Sequence, residues 1–193
     1  MLAAGAVLGV GYVATTAAWN DSELATASFS SPVWVLESET STSPWGNSPQ
    51  PPGSSLRFGA DAMVTGTSYF AWMNLRTSLQ TTVPGTVRLT DVARSGDLTN
   101  FLEYRAVRTG PPMTDALCGP AAFTSFDSVF IAGGPSRWEP IDDDPPAPAV
   151  FPIGPALDDV GICFEVRIRP SAGSEVSGLT GTASWGFTGI SDD

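Results

Sequence analysis

The stretch VGICFEVRIR, residues 160–169, alternates without a break. Ile162, Phe164, Val166 and Ile168 fall on one side; Cys163, Glu165, Arg167 and Arg169 fall on the other. Side chains of a strand point to opposite faces in turn, so period two over this length reads as a half-buried β-strand.

Working outward, the same period recurs. Residues 100–109, NFLEYRAVRT, set Leu102, Tyr104 and Ala106 against Phe101, Glu103, Arg105 and Val107. After a turn at Pro84 and Gly85, residues 86–92 set Val87 and Leu89 against Arg88 and Thr90. Residues 67–77, TSYFAWMNLRT, are aromatic and strand-prone, and are expected to be buried on both faces near their middle. Residues 180–190, TGTASWGFTGI, put Trp185 and Phe187 on one face, and residues 128–132, SVFIA, read as a short strand. At residues 29–38, FSSPVWVLES, Val33 and Val35 alternate with Trp34 and Leu36, with Pro32 marking an edge or a strand start.

The connections are turn-rich. Residues 41–55, STSPWGNSPQPPGSS, have no periodicity; residues 110–122 form a loop that carries Cys118, with a turn of helix expected at 114–117; residues 133–155 form a long Pro-rich connection. Asp97 is placed to cap a short helical turn before residue 100. Roughly eight strands, no long helix and no repeat predict an all-β fold. The expected architecture is a single antiparallel β-sandwich of jelly-roll type with long Pro/Gly-rich loops, spanning residues 19–193.

Composition narrows the chemistry. The 193 residues suffice to bury a core without metals. All nine basic residues are Arg, twenty are acidic, and the net charge is −11. Nucleic acid and anionic membranes need clustered cations, so neither is an expected partner. There is no His, which removes the commonest general base and zinc ligand, and no Lys, which removes Schiff-base chemistry, P-loops and lysine-linked isopeptide bonds. No catalytic residue, cofactor or metal is expected, and the chain reads as a structural protein, not an enzyme.

Residues 1–18, MLAAGAVLGVGYVATTAA, carry no charge and give way to Trp19, Asn20, Asp21, Ser22 and Glu23. An apolar run ending in small residues reads as a secretory signal cut between Ala18 and Trp19, by a signal peptidase, leaving no membrane span. A retained membrane helix is the alternative; the run is Gly-rich and slightly short of the roughly 20 apolar residues a span needs. Export suits two cysteines, Cys118 and Cys163, joined as a disulfide, with two buried thiols as the alternative.

The stretch GAVLGVGYVATTAAWNDSELATASF, residues 5–29, resembles the start of the TasA/camelysin-like family of exported Gram-positive proteins with a SipW-type signal peptide. The shared features are a Gly-rich apolar segment, an Ala-Ala junction, an aromatic residue, Asn-Asp, and a polar stretch leading to Ala-x-Phe. NLRTSLQTTVPGTVRL, the Cys118 region, GICFEVRI and TASWGFTG resemble a high-GC branch of such proteins as a pattern. The resemblance implies a jelly-roll module that joins copies of itself head to tail into extracellular fibres of a biofilm matrix. The mature N-terminal segment of one subunit would complete the sheet of the next. The candidate donor strand lies within residues 19–36, including Trp19, Leu24, Phe29, Val33 and Val35, with an ordinary first strand as the alternative. Without His, no metalloprotease activity carries over.

Other candidates read blandly. Asp142, Asp143 and Asp144, and Asp158 and Asp159, lack calcium-loop spacing and read as solvated acidic loops rather than a calcium or glycosidase site. Trp72 and Trp185 are expected in the core. Trp45 and Trp138 either stack on a sugar or pin their Pro-rich loops to the sandwich. A monomeric secreted surface domain that binds glycan or a protein partner is the alternative to a filament subunit.

Overall fold

A computed structural model of the chain describes residues 33–49, 54–58, 62–110, 112–141 and 149–192, all within one unit, Pro32–Asp193. The expected signal at residues 1–18, its cut between Ala18 and Trp19, Leu24 and Phe29 of the expected donor, and Asp142, Asp143 and Asp144 lie outside the described residues.

Ten strands follow one another: β1 (Leu36–Thr40), β2 (Ser43–Gly46), β3 (Tyr69–Thr77), β4 (Gly85–Ser95), β5 (Leu102–Thr109), β6 (Val129–Ala132), β7 (Glu139–Pro140), β8 (Phe151–Ile153), β9 (Asp159–Ile168) and β10 (Thr182–Ser191). They form a seven-stranded sheet in the order β2-β1-β3-β9-β5-β6, with β7 also on β5, and a three-stranded sheet in the order β10-β4-β8. Every pairing is antiparallel. The expected antiparallel β-sandwich is the fold. The chain passes between the sheets after β3, β4, β7, β8 and β9, the winding of Greek-key and jelly-roll sandwiches.

The decisive stretch is the centre of the larger sheet. β9 lies between β3 and β5, with Phe164 opposite Ala71 on one side and Ala106 on the other. Ile162, Phe164, Val166 and Ile168 point into the core with Met73, Leu75, Leu102 and Tyr104; Val87, Leu89, Phe151 and Ile153 meet them from the smaller sheet. Phe164 and Tyr104 are fully buried. The Phe164 ring lies 5.0 Å from Trp185 and 6.4 Å from Phe187, and Tyr104 meets Trp185 edge-on at 5.6 Å. Each fully buried side chain of this kind contributes about 1.5–3 kcal/mol.

Several expectations are corrected. β9 is buried on both faces, not one: Cys163 is 0% exposed and Glu165 4%. The cover is residues 112–124, whose Met113, Ala122 and Phe123 form a second apolar cluster with Val107 and the two cysteines. The first described strand begins at Leu36, because Val35 turns its N–H to the Thr81 hydroxyl and its carbonyl to Ser78 N–H. The Ser/Pro-rich loop contains β2, paired with β1 as a hairpin. The helical turn at Asp97–Phe101 exists, but Gly96 (φ 89°) precedes it and Asp97 makes no cap. The strands that were not read from the sequence, β2, β7 and β8, are pieces of two to four residues, too brief to show a period.

Candidate functional site

The edges of the two sheets differ. In the larger sheet, β2 has four residues including Pro44, β6 has four, and β7 has two including Pro140. In the smaller sheet, β8 has three including Pro152. Short edges and edge prolines discourage further strands from adding. β10 has ten residues, TASWGFTGIS, with no charge and no proline. It pairs with β4 along its whole length, from Thr182 opposite Ser95 to Ser191 opposite Gly85. Among the described residues nothing pairs with its other side.

Local chemistry fixes this strand. Ala183, Trp185 and Phe187 pack on the core, while Thr182, Ser184, Thr188 and Ile190 are exposed. A bulge opposite Gly186 and Phe187 leaves Thr90 extra on β4, and its hydroxyl donates to the Gly186 carbonyl at 3.1 Å. Bulges add twist and bend an edge. At the far end, the Trp34 ring packs where a side chain on Gly85 or Gly189 would stand, so both positions require glycine. Trp34 thus brings the start of the described chain against the end of β10. Val33, of the expected donor, is 49% exposed, whereas Val35 is tied to Thr81 and Ser78 of its own subunit.

The outer face of the larger sheet carries the other expected residues. Cys118 and Cys163 are joined in a disulfide, with Cα atoms 5.3 Å apart. Two hydrogen bonds from β3 hold the same cover: Asn74 Oδ1 accepts from Met113 N–H at 2.6 Å, and Asn74 Nδ2 donates to the Met113 carbonyl at 3.1 Å. Trp72 Nε1 donates to Asp115 Oδ1 at 2.6 Å. Trp72 therefore lies on the outer face, half-buried, and not in the main core where it was expected; Trp185 is packed against the main core as expected.

Next to the cover, charges alternate between strands. Arg105 faces Glu165 at 2.7 Å, Arg167 faces Glu103 at 2.5 Å, and further out Arg76 faces Glu37 at 2.8 Å. Trp138 lies against both the Arg167 and Arg105 guanidiniums, at 3.7 and 4.7 Å, and Arg76 lies 4.1 Å over Trp45. Trp45, in β2, and Trp138, just before β7, are pinned by cation–π contacts, each of which takes up one face of the ring.

The remaining acidic candidates are also accounted for. Asp158 Oδ2 accepts from Gly154 N–H at 2.5 Å, closing a tight turn in which Ala156 and Leu157 have positive φ. Asp159 starts β9 opposite Arg76. Among the described residues no three His, Cys, Asp or Glu side chains group to hold a metal, and no helix is long and apolar enough to cross a membrane. Burial pushes the Tyr104 hydroxyl well above the usual phenol range, and the nearby Glu139 carboxylate adds to the shift.

No family model matches the chain, and no curated protein matches it.

Sequence reasoning missed the open edge. Its signal was present, a ten-residue strand free of charge and proline, but periodicity does not tell an edge strand from a central one.

Proposed function

We propose that this chain is an exported structural protein, a subunit of a biofilm-matrix or surface filament assembled by β-strand addition. The observation that carries the reading is the unpaired side of β10. An edge this long, uncharged and free of proline is a ready template for another strand. The other edge strands are short and three of the four carry proline, and the stretch of β4 beyond β8, residues 88–95, unpaired on that side among the described residues, carries Arg88, Asp91 and Arg94. The donor comes from the segment before Val33, with Trp19, Leu24 and Phe29 as its apolar positions, because Val35 and Leu36 are held in their own subunit. A head-to-tail contact of this kind does not close and yields a filament. The resemblance of residues 5–29 to the TasA/camelysin-like family supports the same reading, as does a disulfide, which persists in oxidising compartments.

The test is electron microscopy of the chain beginning at Trp19, the chain beginning at Pro32, and the longer chain with Ser184→Lys and Thr188→Lys on the exposed side of β10. Filaments are expected from the first alone. Monodisperse particles from all three, across concentration and pH, would overturn the reading and leave a monomeric surface module.

A further inference from the structure

A cavity of about 420 Å³ opens beside the outer face of the larger sheet; Phe58, which also lines it, packs on Trp185 of β10 at 6.1 Å. That volume lies within the range of small-molecule sites, about 300–1,000 Å³. Its floor is Phe70 and Trp72, two residues apart on β3 and therefore on one face of the strand. One wall is the disulfide-anchored segment carrying Asp115 and Cys118; the other holds Ser41, Thr42 and Arg57.

The polar groups are of a particular kind. Arg57 is exposed and has no acidic partner among the described residues, while Arg76, Arg105, Arg137 and Arg167 are each paired with a glutamate. Asp115 is exposed too; one oxygen accepts from Trp72, and a carboxylate has lone pairs to spare on both. The same bond anchors the polar edge of the indole, so what the ring presents to the cavity is its apolar surface. A donor fork, an acceptor and an aromatic platform thus line one open cavity.

The geometry points to a binding site for a neutral hexopyranose unit of a polysaccharide. The apolar face of the sugar would lie on Trp72 and Phe70. Arg57 would donate to one hydroxyl oxygen, and Asp115 would accept from the neighbouring hydroxyl. One cation and one carboxylate on the lining, on a chain of net charge −11, disfavour nucleotides and polyanions. Two charges in an open cavity disfavour an acyl chain.

The experiment is calorimetric titration of the full disulfide-bonded chain with cellohexaose, laminarihexaose, mannohexaose and, as an acidic counterpart, hexagalacturonate. At least one neutral hexamer is expected to bind with a Kd of about 0.1–1 mM. Arg57→Ala, at an exposed position, should weaken it about tenfold or more without changing the melting temperature, and Asp115→Asn, which keeps an oxygen to accept from Trp72, should weaken it by a smaller factor with the fold intact. No binding of any neutral hexamer up to about 10 mM, equal binding by both variants, or tighter binding of the galacturonate would each overturn the assignment. Strand addition is untouched by any of these outcomes, since neither Arg57 nor Asp115 lies on β10.

Discussion

The two sheets of this sandwich are secured by different means. The larger one holds the disulfide and all four ion pairs among the described residues. The smaller one has neither; it holds through its backbone ladder and through Trp185 and Phe187 pressed on Phe164. The larger sheet ends in short strands, and the smaller one ends in ten open residues. The disulfide and the ion pairs are thus concentrated where the sheet is complete, and the sheet left extendable is held by burial and hydrogen bonds.

That contrast can be broken first at the surface the sheets share. Phe164→Ala removes a ring that belongs to the larger sheet and packs on the smaller, and should cost about 3–5 kcal/mol in urea unfolding. Both sheets should still unfold in one transition; two separate transitions would make them independent units. The next effect is smaller and more local. Replacing Cys118 and Cys163 together by alanine should cost about 2–4 kcal/mol, the upper figure following from chain entropy for a 45-residue separation. Hydrogen exchange should quicken at Met113 N–H, which Asn74 holds, and stay unchanged along β4 and β10. Equal quickening in both sheets would show that the tie is not confined to the larger one.

The smallest effect is electrostatic. The Tyr104 hydroxyl titrates higher in the folded chain than in the unfolded one. Above about pH 10 the unfolded state therefore loses a proton that the folded state keeps, and stability falls with pH by at most about 1.4 kcal/mol per unit. With no Lys in the chain, few other groups titrate there. Tyr104→Phe should flatten the fall in denaturation midpoints between about pH 10 and 11.5; an unchanged slope would place the proton elsewhere.

Much of the fold was legible because period two survives wherever one face meets a core. Ile162 to Ile168, Leu102 to Ala106, and Val87 with Leu89 all point as their spacing predicts. What was not legible depended on contacts between distant segments. Cys163 and Glu165 are buried by a cover with no periodicity of its own, so alternation marked them as the outward face. Trp72 sits in an aromatic run that looks like core, yet its partner is Asp115, 43 residues away. The disulfide was read from cysteine count and context, but that it pins a cover onto a sheet was not. The open edge of β10 escaped for a related reason: a sequence shows what a strand buries, not whether it has a second neighbour.

Trp34 has a kinetic consequence. It holds the first described residues against Gly85 and Gly189 at the end of the open strand. In the proposed assembly, a donor tethered there would reach its own subunit before another. Self-completion then competes with growth at an effective concentration in the millimolar range for a short tether. If the proposed strand addition holds, the subunit can be stored as a capped monomer, and elongation would show a lag and a critical concentration.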